Sequence, residues 1–151
     1  MSKNNSNAMG FTLIELIIVI VVLGILAVTA VPRFMASDPS TEMATVEARL
    51  MGLLRLQQQR AMQDTANFGY GVSMGANKVT TLPVEAERDI NLDAVAVSGL
   101  NTGLYFNSKG CPVPSGGGVC GVAAREITIT AGSLTRNICV QSQGYIRLGS
   151  C

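Results

Sequence analysis

Gly10-Phe11-Thr12-Leu13-Ile14-Glu15 decides how the rest of the chain is read, because it sets a single carboxylate at the head of an otherwise charge-free apolar run from Leu16 to Pro32. Apart from that glutamate, the segment from Phe11 to Val31 has the length and apolarity to span a bilayer. An acidic side chain at the centre of a membrane helix costs roughly 2.5–3.5 kcal/mol on the insertion scale, and such residues mark a function and a partner. Glu15 therefore needs a cation. A cut between Gly10 and Phe11 supplies one, since the freed α-amino group of Phe11 lies about one helical turn from Glu15. If the amine belongs to the next identical helix, the pairing fixes an axial stagger between neighbours, which is a register device for a filament.

Two plainer readings of the run leave something out. A secretory signal peptide also has an apolar core, and Val28-Thr29-Ala30 has the small-residue pattern of its cleavage site. Such a signal carries no glutamate at the head of its core, however, and its core is about 7–15 residues long. An ordinary single-pass anchor explains the apolar run but not Gly-Phe-Thr-Leu-Ile-Glu as a unit.

Gly10 to Glu15, followed by Leu16-Ile17-Ile18-Val19-Ile20-Val21-Val22-Leu23-Gly24-Ile25-Leu26-Ala27 and then Pro32-Arg33-Phe34, resembles the class III signal of type IV pilins and pseudopilins. The resemblance implies that a prepilin peptidase cuts after Gly10 and methylates the new amino terminus at Phe11, and that Glu15 serves assembly. It implies as partners other pilin subunits, the peptidase and an inner-membrane assembly platform. It also implies a single-pass inner-membrane protein with a periplasmic carboxyl-terminal domain, later taken into a pilus or pseudopilus. The leader is polar, with Lys3 its one basic side chain.

A length of 151 residues allows one domain plus an anchor, and the apolar fraction of 48% is raised by the membrane run. Losing Lys3 with the leader brings the 11 basic side chains level with the 10 acidic ones, so net charge selects no partner. Cys111, Cys120, Cys139 and Cys151 all lie in the last third of the chain, and an even number in an exported domain reads as disulfides. Four cysteines allow three connectivities. Cys111 with Cys120 and Cys139 with Cys151 is the expected one, because each pair closes a short local loop. No metal site is expected: histidine is absent, and there is no close Cys-x-x-Cys pair.

Along the chain, the membrane helix begins near Phe11 and passes Gly24 and Pro32 as points of weakness. Asp38-Pro39 reads as a helix cap with proline in the first turn, or equally as a second kink in one long helix. From Ser40 to Asp64, Met43, Val46, Leu50, Leu53, Leu54 and Ala61 recur at helical spacing, while Glu42, Glu47, Arg49, Arg55 and Arg60 take other faces. Downstream the pattern is β-like. Phe68, Tyr70, Val72 and Met74 alternate with small residues, and further strands are expected at residues 79–82, 90–97, 104–106, 126–131, 135–140 and 145–148. Residues 112–121, with three successive glycines, read as a loop restrained by a disulfide.

The expected architecture is α+β, a long amino-terminal helix packed on a carboxyl-terminal antiparallel sheet. The chain divides into a leader at 1–10, a transmembrane and filament-core helix at 11–38, and a periplasmic globular domain at 39–151 that includes the amphipathic helix 40–64. Leu53-Leu54-Arg55-Leu56-Gln57-Gln58-Gln59-Arg60-Ala61-Met62, Tyr105-Phe106-Asn107-Ser108-Lys109-Gly110, Ile127-Thr128-Ile129, Arg136 to Val140 and Gly144-Tyr145-Ile146 resemble minor pilins of the mannose-sensitive haemagglutinin type. They also resemble the H-type pseudopilins of type II secretion.

No catalytic residue or cofactor is expected. The chain has no histidine for general-base work and no Gly-x-Ser-x-Gly, and Glu85, Glu87, Asp89 and Asp93 read as a solvated loop. Nucleic-acid binding, which some related minor pilins perform, rests on Lys109, Arg125, Arg136 and Arg147 facing the lone acid Glu126 beyond Asp93. Scattered arginines on the solvent faces of strands are the simpler account. The expectation is a structural minor subunit of a type IV pilus that starts or caps an adhesive fibre, with an H-type pseudopilin and a DNA-binding minor pilin as alternatives.

Overall fold

The computed structural model describes residues 11–35, 38–66, 69–114, 118–121 and 123–151, with side chains from 28 to 35 outside the description. Two compact units divide the chain between Ser37 and Asp38. The first contains α1, Leu13–Met35, which runs through both Gly24 and Pro32. Proline removes a single donor from the ladder, and the residues after Pro32 sustain the helix to Met35.

The second unit opens with α2, Pro39–Gln63. Its start is a fresh cap. Asp38 is extended (φ −76°, ψ 121°), its carboxylate accepts the Ser40 N–H at 2.9 Å, and Pro39 takes the first helical position, where no donor is needed. That backbone hydrogen bond holds the Asp38 carboxyl below its ordinary range. Met43, Val46, Leu50, Leu53, Leu54 and Ala61 are buried, as their helical spacing predicts. Two polar residues depart from the expected pattern. Glu47, placed on a polar face by the sequence, is only 8% exposed, and Arg136 Nη1 meets its carboxylate at 3.0 Å. Gln57 is fully buried, and neither amide atom has a partner among the described residues.

Nine strands follow among the described residues: β1 (Gly71–Met74), β2 (Lys78–Leu82), β3 (Ile90–Asn91), β4 (Ala96–Ser98), β5 (Leu104–Phe106), β6 (Pro112–Val113), β7 (Arg125–Ala131), β8 (Leu134–Val140) and β9 (Ile146–Leu148). They form two antiparallel sheets, ordered β3-β2-β1-β5-β6 and β4-β7-β8-β9. Side chains alternate across each sheet: Leu104 and Phe106 are buried while Tyr105 between them is half-exposed, and Ile127, Ile129 and Ala131 are buried along β7. α2 contacts strands of both sheets, so its apolar face and the two sheets share one core.

Of the alternating set that leads into β1, Phe68 lies outside the described residues. The single strand expected over 90–97 is instead two. β3 pairs with β2, whereas β4 pairs with β7, and the chain crosses between sheets at residues 92–95, where Leu92 and Val95 are buried. The glycine-rich segment contributes β6, an edge strand pairing with β5. Cys111 is bonded to Cys120 and Cys139 to Cys151, closing separations of 9 and 12 residues. Asn107 organises the first of these loops: its Oδ1 accepts the N–H groups of Lys109 and Cys111 at 3.0 Å each, and its Nδ2 donates to the Gly118 carbonyl at 3.1 Å.

Candidate functional site

The structure sets Glu15 in a reciprocal arrangement with Thr12 at the head of α1. The Glu15 N–H donates to Thr12 Oγ1 at 3.3 Å, while Glu15 Oε2 accepts the Thr12 N–H at 3.2 Å and its hydroxyl at 3.1 Å. The first helical bond, Leu16 N–H to the Thr12 carbonyl at 3.3 Å, begins at the same residue. This is a capping box, in which a threonine and the glutamate three residues later satisfy donors that the first turn leaves free. Thr12 is a second functional residue at this site, and Thr-x-x-Glu ahead of an apolar run is the legible signal for it.

One Glu15 oxygen is thus engaged within its own chain. Oε1 has no partner among the described residues, and the side chain is exposed. A carboxylate has acceptor capacity on both oxygens, so the box orients the group and leaves half of it for a second donor. Phe11 is 90% exposed beside it. Gly10 and the leader lie outside the described residues.

Behind this head the described side chains of α1, from Leu13 to Ala27, are all exposed, including Leu16 at 62%. An apolar surface of that extent is uncommon on a water-soluble monomer and marks a membrane or protein contact. Among the described residues, no helix is long and apolar enough to cross a membrane.

Some charged groups of the second unit pair with one another. Glu85 accepts from Arg60 Nη1 at 2.7 Å and from Arg88 Nε, and the Arg60 guanidinium holds its carboxyl below the usual carboxylate range. Lys78 meets Asp89 at 2.6 Å, with the Asp89 side chain only 7% exposed. The acids expected in a solvated loop therefore include two that pin the segment after β2 in place. Of the cations considered for phosphate contact, Arg125 donates to Thr102 Oγ1 at 2.9 Å, Arg136 pairs with Glu47, and Arg147 donates to the Ser150 carbonyl at 2.6 Å. No group of three or more metal-ligating side chains occurs among the described residues.

The prokaryotic N-terminal methylation motif matches residues 6–31, the stretch that holds the Thr12–Glu15 box. Among solved structures, the type IV minor pilin FimU of Pseudomonas aeruginosa PAO1 superposes with a TM-score of 0.52 at 12% identity, covering 71% of this chain and 92% of FimU. The fold is pilin-like. No curated protein sequence matches the chain. The motif concerns residues 6–31, and the likeness to FimU is one of fold. In a pilin-like frame, the capped head of α1 belongs to the segment that the methylation motif covers, and the folded unit beginning at Asp38 carries both disulfides.

Proposed function

We propose that the chain is a minor structural subunit of a type IV pilus of the mannose-sensitive haemagglutinin type. Prepilin peptidase removes residues 1–10 and methylates Phe11; the segment 11–38 then anchors the subunit in the inner membrane with residues 39–151 in the periplasm. The subunit leaves the membrane through the assembly platform and starts or caps the fibre. The observation that supports this best is the half-engaged carboxylate of Glu15 at the head of an exposed apolar helix.

Transfer of α1 from lipid to a bundle of like helices changes little in apolar contact, because both settings are apolar, so packing and polar pairing supply the specificity. An acid carried into such a bundle is costly unless a cation meets it. The amine of a neighbouring Phe11 is such a cation, and Glu15 Oε1 is the acceptor left for it. The role is structural rather than enzymatic.

The test is incorporation. In cells expressing the full chain, Glu15→Ala leaves membrane insertion and leader removal intact, while the protein is lost from sheared surface fibres. Normal incorporation of the Glu15→Ala protein would overturn the pairing role. Wild-type protein required for secretion yet missing from sheared fibres would favour the H-type pseudopilin.

A further inference from the structure

A cavity of about 140 Å³ opens where β5 and β6, in one sheet, come against the start of β7 in the other. Leu104, Pro112, Val113 and Pro114 make its apolar wall, and Thr102 and Arg125 are its polar lining. Local structure fixes both polar groups. The turn from Leu100 to Gly103, closed by the Gly103 N–H on the Leu100 carbonyl at 2.9 Å, presents Thr102, and Gly103 leaves the turn at φ +72°, a conformation that glycine adopts without strain. Arg125 is the first residue of β7 and shares the inward side of that strand with Ile127 and Ile129, half-buried at the rim of the core. Its Nη2 donates to Thr102 Oγ1 at 2.9 Å, which ties the guanidinium to the turn.

The charge of the lining selects the ligand. Arg125 forms no ion pair among the described residues. Glu126 lies on the opposite side of β7, where it accepts from Asn137 Nδ2 and from the Cys151 N–H. Other cavities of this unit have acids beside their arginines: Glu87 and Asp89 beside Arg49 and Arg88, and Glu47 beside Arg136. Here the described lining holds a cation and no acid. One of the five donors of a guanidinium goes to Thr102 and the rest have no acceptor among the described residues, while the Thr102 hydroxyl, having accepted, keeps its own O–H to donate.

What enters must bring an anion for Arg125 and a small apolar body for the wall. A carboxylate meets the first need, since its two oxygens match the planar fork of an arginine. A phosphate dianion meets it poorly, because one cation does not balance a double charge taken out of water. Pro112 and Pro114 bring no N–H to the edge strand β6, so an extended peptide finds no ladder of donors there. The volume is the share of about four or five waters in the liquid, room for a carboxylate with roughly one to three further carbons. We propose that this cavity binds a short aliphatic monocarboxylate, with the carboxylate on Arg125 and the Thr102 hydroxyl and the carbon chain on Leu104, Val113 and the two prolines. The site is independent of the fibre role.

The experiment uses the full chain in dodecyl maltoside, a detergent without charge, titrated at constant ionic strength with acetate, propionate and butyrate and, for comparison, with butyramide and inorganic phosphate. Saturation-transfer NMR on the ligand methyl groups reads the organic ligands, and competition against propionate reads phosphate. The expected result is saturable binding of propionate or butyrate with a Kd of about 1–10 mM, and binding of the uncharged butyramide about tenfold weaker or less. Arg125→Gln weakens butyrate about tenfold or more. Thr102→Val, nearly the same shape without the hydroxyl, weakens it severalfold, and Arg55→Gln, on the exposed side of α2, leaves it unchanged. The α-amide of N-acetylglutamate carries the same group on a peptide backbone and assigns its source: exclusion from the site means a free acid, and binding equal to butyrate means an acidic side chain of another protein, with the carboxylate contact kept in both. No saturation by any of the three acids up to about 100 mM overturns the proposal. So does butyramide binding as well as butyrate, phosphate displacing propionate more strongly than butyrate does, or wild-type binding by both Arg125→Gln and Thr102→Val.

Discussion

Gln57 and Gln58 are neighbours on α2 with the same side chain, and the structure gives substitutions at them opposite signs. Gln58 Nε2 donates to the Gly110 carbonyl at 2.7 Å and to the Gly144 carbonyl at 2.6 Å, tying the helix to both disulfide-bearing segments. Both glycines are buried, so removing the amide strands two carbonyls away from water. Each lost hydrogen bond costs about 0.5–1.5 kcal/mol net, and each stranded acceptor up to about 1–3, which puts Gln58→Ala at about 2–4 kcal/mol. For a folded unit of this size the melting temperature moves by about 4 °C per kcal/mol, so the drop is roughly 10 °C. Gln58→Glu, nearly the same shape but with an acceptor in place of the donor, is expected to fall at least as far.

Gln57, fully buried with neither amide atom partnered, bears a desolvation cost of about 1–3 kcal/mol that an apolar side chain of similar length does not. Gln57→Met is therefore expected to raise the melting temperature by several degrees. The assay is thermal unfolding of the full mature chain in detergent, followed by circular dichroism. A Gln58→Ala protein within about 2 °C of wild type, or a Gln57→Met protein clearly below it, would refute the reasoning.

Thr12→Val removes the hydroxyl that completes the capping box, at a cost of about 0.5–2 kcal/mol to the first turn of α1, and should reduce fibre incorporation less than Glu15→Ala does; equal loss in quantitative blots of sheared fibres would make Thr12 as central as Glu15. Serine at Cys111 and Cys120, or at Cys139 and Cys151, should cost about 2–3 kcal/mol per bridge by releasing a short loop in the unfolded chain; a melting temperature unmoved by reducing agent would contradict this. Glu85→Gln should melt below wild type at neutral pH. Because Arg60 lowers the Glu85 pKa on folding, the stabilisation is present above the unfolded carboxylate value of about 4.3 and disappears as pH falls through the lower folded value. The gap between the two proteins should therefore narrow as pH falls below about 4.3, and a gap of constant size in melting curves above and below that pH would rule the ion pair out as its source.

Both helices were legible because their signals are local. Apolar spacing from Met43 to Ala61 needs nothing distant to be read, whereas the Asp38-Pro39 pair is equally compatible with a cap and a kink; β7 announces itself by alternation ahead of the Gly132-Ser133 turn, while β8, buried at three successive residues at its end, does not. The splitting of 90–97 between two sheets was not legible, since β3 and β4 differ only in which distant strand each one pairs with. Glu47 was misplaced for the same reason: its burial depends on Arg136, 89 positions away. Thr12 is a different case. Its signal is local, but a carboxylate at the head of an apolar helix points equally to a cation, and only the hydrogen bonds show that the threonine three residues before it shares the group. The cavity beside Arg125 exists only once β5, β6 and β7 are brought together, so no pattern in the linear chain could have disclosed it.

The proposed assembly depends on a cut between Gly10 and Phe11 that releases an amine for Glu15 of a neighbouring subunit. Intact mass and amino-terminal fragment spectra of the protein recovered from cells test this most directly. The predicted species begins at N-methyl-phenylalanine 11 and disappears when Gly10 is replaced by valine. A chain that still begins at Met1, or one that begins just beyond Ala30, would contradict it.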